Sequence, residues 1–108
     1  MDIERWRNEI DEIDEELLRL LNMRARLAIK VGSLKRASGI PVRDREREHS
    51  VLTRLQGANT GPLDQSAVLR LFRRIILESR RVEALADEQV NTSSVASLQS
   101  STKIRGIA

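Results

Sequence analysis

The sequence contains no cysteine, one histidine and only two aromatic side chains, Trp6 and Phe72. Without cysteine there is no disulfide scaffold, no cysteine-based zinc site and no thiol nucleophile, and one histidine leaves no multi-histidine metal site. Two aromatic residues are too few for a protein that stacks nucleic-acid bases on aromatic rings. Five glycines and two prolines are too few for a many-turned all-β domain, and no apolar run approaches the ~18 residues of a membrane span.

What the sequence does contain is typical of one helical domain. Of its 108 residues, 40% are apolar and 32% are charged, and 19 basic against 16 acidic side chains give a net charge of +3. This small excess is a weak pointer to anionic ligands. The first residues, MDIERWRNEI, are charged throughout and lack the apolar core of a signal peptide. We therefore expect a cytoplasmic, all-α protein.

A long first helix is predicted from about Asp2 to Ser38, where apolar residues recur every three or four positions. Asp2 is a suitable N-cap, and Gly39 and Pro41 end the helix. At ~1.5 Å per residue this helix is roughly 50 Å long, whereas a compact globule of this size has a radius of gyration of only about 13 Å. Because the apolar stripe extends beyond its own globule, we expect an intertwined helical homodimer.

Two further helices complete the predicted three-helix protomer. The second runs from about Asp44 to Leu55, and the third runs from about Asp64 to Asp87. The chain then divides into a helical domain, residues 1–87, and a polar tail, residues 88–108. Within the tail the stretch NTSSVASLQSST has the composition of a linker.

Polar side chains interrupt the apolar face of every predicted helix when residues are placed at ~100° per position. In chain order they are Arg24, Lys35, Asp44, Glu48, Ser79 and Glu83. An unpaired charge in a protein interior is strongly unfavourable, so these groups must pair with one another or bind a ligand. The pattern leaves two interpretations: buried salt bridges, or an interior cationic pocket for a small carboxylate-bearing ligand. Arg7 lies on the flank of the first stripe.

These positions and their apolar neighbours resemble the all-helical (AroQ-class) chorismate mutases over about residues 3–86. The matching stretches are Arg7-x3-Asp11-x2-Asp14-x2-Leu17-Leu18-x2-Leu21-x2-Arg24, Ala28-x2-Val31-Gly32-x2-Lys35, Pro41-Val42-Arg43-Asp44-x2-Arg47-Glu48 and Phe72-x2-Ile75-Ile76-x-Glu78-Ser79. The resemblance implies a three-helix protomer that exchanges its first helix in a dimer. It also implies the rearrangement of chorismate to prephenate, an isomerase reaction that leads to phenylalanine and tyrosine.

The resemblance also implies roles for particular residues. Arg24 would bind a substrate carboxylate, and Arg7 would bind a carboxylate from across the dimer, so that each dimer has two composite sites. Lys35 would donate to the breaking ether oxygen and to a carboxylate. Asp44 and Glu48 would hold the ring hydroxyl. The reaction is unimolecular and pericyclic, and it requires no cofactor, metal or nucleophile.

Three further positions complete the implied site. Arg47 would line the pocket and position the neighbouring acids, and Ser79 would lie near a carboxylate. At the position of Glu83 many bacterial members carry glutamine, which donates a hydrogen bond to the ether oxygen. A carboxyl group can donate only when it is protonated, so we hypothesise that Glu83 acts as a neutral acid.

The carboxyl-terminal residues suggest a longer protein. In some family members the mutase precedes a prephenate dehydratase domain that begins with a strand of the form Ile-Ala-Phe-x-Gly. Here the polar stretch leads to Ile104-Arg105-Gly106-Ile107-Ala108. We therefore hypothesise that the chain is the mutase domain of such a bifunctional enzyme.

Three alternatives remain open at this stage. One is an isochorismate pyruvate lyase of the same fold, and another is a helical dimerisation or regulatory module without catalysis. The third is a nucleic-acid-binding dimer, which the small net charge disfavours. It would use a basic run that we otherwise predict to be an exposed helix face: Arg70, Arg73, Arg74, Arg80 and Arg81.

Overall fold

The computed structural model describes the backbone of residues 2–103 and the side chains of residues 2–89. It consists of three helices: α1 (Asp2–Ala37), α2 (Arg45–Ala58) and α3 (Gln65–Lys103). No strand is present between residues 2 and 103, so the predicted all-α class and the three-helix protomer are confirmed. Residues 104–108, which the sequence analysis compared with the first strand of a dehydratase domain, lie outside the described residues.

The end of α1 is fixed by the glycine that the sequence analysis identified. Gly39 has a φ of +71°, a left-handed conformation that glycine adopts without a Cβ clash. The amide of Ile40 donates to the carbonyl of Lys35 at 2.8 Å, and the amide of Gly39 donates to the carbonyl of Arg36 at 3.2 Å. This pair of hydrogen bonds is a Schellman motif, and it orients the connection to α2 beside Lys35.

The helices α2 and α3 each begin at an aspartate cap. The carboxylate of Asp44 accepts from the amide of Arg47 at 2.9 Å, and that of Asp64 accepts from the amide of Ala67 at 2.7 Å. Each cap satisfies an amide that has no partner within the first turn of its helix. The predicted starts of both helices are therefore correct to within one residue.

The carboxyl-terminal end of α3 differs from the prediction. The sequence pattern ended the helix near Asp87 and assigned residues 91–102 to a linker, whereas α3 continues to Lys103. The prediction of that helix end was wrong because the loss of the apolar stripe is not a stop signal. No glycine or proline lies between residues 63 and 105 to break the helix. A domain boundary at residue 87 stays a prediction.

Both α1 and α2 pack against α3, and the protomer is elongated. Its dimensions are 66 × 38 × 15 Å and its radius of gyration is 19.7 Å, well above the value of about 13 Å for a compact chain of this length. The buried apolar residues are Val51, Val68 and Ile76. Over the part of the chain that the structure describes, none of the helices combines the length and the apolar character of a membrane span.

Candidate functional site

A cleft of about 270 Å³ lies where the three helices meet. Its wall contains five basic side chains and three acidic ones, interspersed with aliphatic residues from all three helices. The charged members are Arg24, Lys35, Arg43, Arg47, Arg80, Asp44, Glu48 and Glu83. Ser79 also lines the cleft, so the structure brings together every predicted site residue except Arg7. The excess of basic groups gives the cleft a positive character suited to an anionic ligand.

Arg24 is held in place by a short hydrogen-bond chain. Its Nη1 donates to the Oγ of Ser79 at 2.7 Å, and that hydroxyl donates in turn to the carbonyl of Ile75 at 3.0 Å. Ser79 is only 8% exposed, so this guanidinium is anchored on one side by a buried hydroxyl of α3. No carboxylate forms an ion pair with Arg24 among the described residues, which leaves most of its donors for a ligand.

Lys35 lies eleven residues after Arg24, about three helical turns further along the same face of α1. Its side chain is partly buried, and the Nζ is 3.5 Å from the carbonyl oxygen of Val42 in the α1–α2 connection. That contact is at the limit of a hydrogen bond and holds the ammonium group only weakly. Lys35 therefore supplies a positive charge to the cleft that a bound anion can approach.

The acidic side of the cleft is formed by the first turns of α2. Glu48 lies between two arginines, with Arg80 Nη2 3.4 Å from its Oε1 and Arg43 Nε 3.7 Å from its Oε2. Asp44 caps α2 through one carboxylate oxygen, and Arg47 follows three residues later in the same turn. The cap and the flanking arginines fix the orientation of these acids toward the cleft.

Arg80 is a cleft residue that the sequence analysis missed. It was assigned to the exposed basic run, but its side chain is 34% exposed, lines the cleft and reaches Glu48. Its Nε is buried and has no hydrogen-bond partner in the protein. The neighbouring Arg74 and Arg81 do lie on the solvent face, where both pair with Glu78.

Glu83 occupies the end of the cleft near the carboxyl-terminal part of α1. Burial raises the pKa of its carboxyl group above the ordinary value of 4.5, because desolvation disfavours the charged form. Attraction by positive groups opposes this rise in pKa, and in order of effect these groups are Arg36, Lys35, Arg24 and Arg80. The balance favours the neutral acid relative to an exposed glutamate.

Arg7 lies far from the cleft within the protomer. It is exposed, and its Nη1 pairs with Glu4 Oε1 at 3.1 Å on the same helix. Seventeen residues separate it from Arg24, a distance of about 25 Å along α1. One chain by itself therefore does not bring Arg7 to the site.

The site has no arrangement that suggests a metal centre. Between residues 2 and 89 no cluster of three or more acidic or histidine side chains is placed to hold a metal ion. His49, the single histidine of the chain, is exposed.

Comparison with known proteins shows which family this chain is similar to. A family model described as chorismate mutase type II matches residues 6–84. The bifunctional chorismate mutase/prephenate dehydratase of Neisseria gonorrhoeae is 51% identical over 77 residues, which make up 71% of this chain and 21% of that protein. The protein of the same name from Aquifex aeolicus is 38% identical over 79 residues, or 69% of this chain and 22% of that protein.

A solved structure extends the comparison to three dimensions. The chorismate mutase (form II) of Thermus thermophilus aligns with a TM-score of 0.76 and 34% sequence identity. The alignment covers 78% of this chain and 96% of the Thermus chain. The present chain thus spans about a fifth of the length of the curated relatives and matches nearly all of the solved structure.

Proposed function

The chain belongs to the chorismate mutase type II family, and we propose that it catalyses the rearrangement of chorismate to prephenate. The reaction is unimolecular: one carbon–oxygen bond breaks while one carbon–carbon bond forms. Catalysis then consists of holding the substrate in its reactive conformation and stabilising the negative charge that develops on the ether oxygen. The single observation that carries the proposal is the cationic cleft, whose wall contains seven of the eight residues expected for this chemistry.

The basic groups of α1 are proposed to bind the carboxylates of the substrate. Arg24 presents a planar guanidinium that is anchored by Ser79 and suits bidentate contact with a carboxylate. Lys35 supplies a compact ammonium group that stabilises the negative charge developing on the ether oxygen and also attracts a carboxylate. Three turns of one helix separate the two groups, so a substrate bound between them is fixed along its length.

The acids of α2 are proposed to hold the ring hydroxyl. Glu48 and the backbone and side chain of Asp44 offer acceptors at the same rim of the cleft. Arg47 shapes this rim, and Arg80 keeps Glu48 oriented through their 3.4 Å contact. Its two arginine neighbours hold the Glu48 carboxylate in place, and its oxygens are then available to accept a hydrogen bond from the ring hydroxyl.

Glu83 is proposed to donate a hydrogen bond to the ether oxygen as a neutral acid. Its raised pKa supports this role, and a bound dianion raises the pKa further because it adds negative charge nearby. The rate is expected to fall as pH rises through this pKa, since the ionised carboxylate repels the charge that develops on oxygen. Replacing Glu83 with glutamine, which donates at every pH, flattens the alkaline limb.

We further propose that two chains form the intertwined dimer, with Arg7 of each chain completing the cleft of its partner. The support is the apolar surface of α1, where Trp6 is 57%, Ile10 55% and Ile13 59% exposed in one chain. A stripe of this length on a lone helix is unfavourable in water, and an antiparallel second copy buries it. In the same arrangement Arg7 reaches the cleft of the partner chain, whereas within its own chain it lies about 25 Å from Arg24 along α1.

The relatives' names support one broader proposal. The Neisseria and Aquifex proteins are bifunctional and about five times as long as the matched region. We propose that this chain, too, is the mutase part of a protein with a prephenate dehydratase domain, and sequencing of the source gene beyond codon 108 tests this. A cytoplasmic location stays a prediction from the sequence.

The test of the activity is direct. Purified protein is mixed with chorismate, and the loss of chorismate absorbance is followed together with the appearance of prephenate. Lys35→Ala is expected to abolish turnover, whereas Lys30→Ala, an exposed lysine on the same helix, is expected to leave turnover unchanged. Isochorismate is assayed in parallel. Release of pyruvate from isochorismate without turnover of chorismate would contradict the proposal and favour the lyase of the same fold.

A further inference from the structure

Arg36 lies beside the candidate site but outside its wall. It follows Lys35 on α1, is partly buried, and places its Nε 3.0 Å from Asp87 Oδ1 on α3. This ion pair joins the two helices one turn beyond Glu83, because Asp87 follows Glu83 by four residues. The guanidinium of Arg36 therefore has two carboxyl groups of α3 on the same side.

Gly32 is the reason that these groups can approach one another. It is buried in α1, and a Cβ at this position would lie 3.2 Å from Glu83 Oε2 and 3.4 Å from Arg36 Nη1. A glycine in the middle of a helix costs about 1 kcal/mol relative to alanine. The missing side chain leaves the space in which the Glu83 carboxyl and the Arg36 guanidinium lie.

The positive charge of Arg36 interacts with two carboxyl groups, those of Asp87 and Glu83. It forms an ion pair with Asp87, and its attraction is the largest of those that lower the pKa of Glu83. The other charged groups around Glu83 are basic on α1 and α3 and of both signs across the cleft. They are Lys35 and Arg24 on α1, Arg80 on α3, Arg43 and Asp44 in the connection before α2, and Arg47 and Glu48 on α2.

We propose that Arg36 and Asp87 are a pair of positioning residues that set the orientation and the protonation of Glu83 in the chorismate rearrangement. The inference rests on the proposed function. Asp87 anchors the guanidinium and offsets part of its charge, so that Glu83 lies against a cation without forming its own ion pair with it. Neither Arg36 nor Asp87 touches the substrate, because neither lines the cleft.

The two members of the pair have opposite effects on Glu83. Loss of the Asp87 charge leaves the full attraction of Arg36 acting on Glu83 and favours its ionised form. Loss of the Arg36 charge removes that attraction and leaves the negative Asp87 one turn away, which favours the neutral form. A purely structural ion pair predicts no such opposition, since either substitution would loosen the same contact between α1 and α3.

The experiment compares the pH dependence of kcat in the wild type, Asp87→Asn, Arg36→Gln and the double variant. The alkaline limb is expected to move down by about half a pH unit in Asp87→Asn and up by a similar amount in Arg36→Gln, the size expected for partly exposed charges. The double variant is expected to lie between them. Glu88→Gln and Arg26→Gln, exposed on α3 and α1, serve as matched controls without a shift.

Two further measurements test whether Glu83 is the group that titrates. In a Glu83→Gln background neither substitution is expected to move the profile, because the titrating group is gone. Titration of the Glu83 carboxyl by carbon NMR in the free protein is expected to show the same two opposite shifts without turnover. Coincident or parallel shifts in Asp87→Asn and Arg36→Gln overturn the inference. Absence of chorismate turnover in the wild type would instead overturn the proposed function and leave the NMR test of the pair intact.

Discussion

The two halves of α1 have the same apolar period but different surroundings within one chain. From Asp2 to Leu20 every residue is exposed, including the apolar ones. From Arg24 to Arg36 the helix lies against α3, buries Gly32 and lines the cleft with Arg24 and Lys35. An apolar stripe therefore indicates that a face will be covered, but it does not indicate whether the cover belongs to the same chain. On the proposed account, the second half serves its own cleft and the first half serves that of a partner.

The largest expected effect concerns the half of α1 that faces the cleft. Arg24→Ala is expected to lower kcat/KM by about 10²–10³-fold, because it removes a preorganised donor from a charged substrate. Arg26→Ala changes an exposed arginine two positions away and is expected to have no effect. Steady-state kinetics on folded variants make the comparison. Equal losses in both variants would mean that the cleft is not where this half of α1 acts.

The next effect concerns the exposed half. Ile13→Asp places a charge on the apolar stripe twice in a symmetric dimer, and it is expected to raise the dimer dissociation constant by about 10²–10³-fold. Sedimentation at a series of protein concentrations measures the change. Glu12→Gln is the control on the adjacent exposed position. A wild type that sediments as a monomer at all concentrations would remove the proposed role of this half.

A smaller effect separates stability from activity within the packed half. Gly32→Ala is expected to raise the free energy of unfolding by up to about 1 kcal/mol through helix propensity. The flexible end of Glu83 yields to the new methyl group, which displaces the carboxyl, and kcat is expected to fall about tenfold. Chemical denaturation and kinetics on the same sample test both parts. A variant that is equally active would show that the position of the Glu83 carboxyl does not matter.

The smallest effect is a dependence of stability on pH. Because the pKa of Glu83 is raised in the folded chain, the folded state binds more protons than the unfolded state above pH 4.5, and stability falls as pH rises through the folded pKa. The contribution is fully present below the ordinary pKa. Thermal melting of the wild type and Glu83→Gln is the measurement, and the variant is expected to lack this part of the decline. Superimposable pH profiles would contradict it.

The sequence predicts the helix starts and the end of α1 well because each has a local cause. The aspartate caps and Gly39 act within one turn, so they are readable without tertiary structure. The end of α3 was missed because polar residues weaken an amphipathic pattern without stopping a helix. Helical periodicity predicts that Arg24 and Lys35 lie on the inner face of α1 and that Ser79 and Glu83 lie on the inner face of α3. The roles of these residues remain proposals.

Other parts of the site depend on how the helices meet, which periodicity does not encode. Arg80 lies one position, or about 100°, from Ser79, and only its long side chain brings its charge to Glu48. The proximity of Gly32, Arg36 and Glu83 depends on the relative positions of α1 and α3 along their axes. A residue at the edge of a helical face is therefore the least predictable kind of site residue.

The measurement that tests the account most directly is complementation between two inactive chains. Arg7→Ala and Lys35→Ala are co-expressed with different tags, and the heterodimer is isolated and assayed with chorismate. If Arg7 acts across the dimer, one of the two clefts has both residues, and the heterodimer is expected to regain about half of the wild-type activity while each homodimer stays inactive. A heterodimer no more active than the homodimers, or a fully active Arg7→Ala homodimer, would contradict the account.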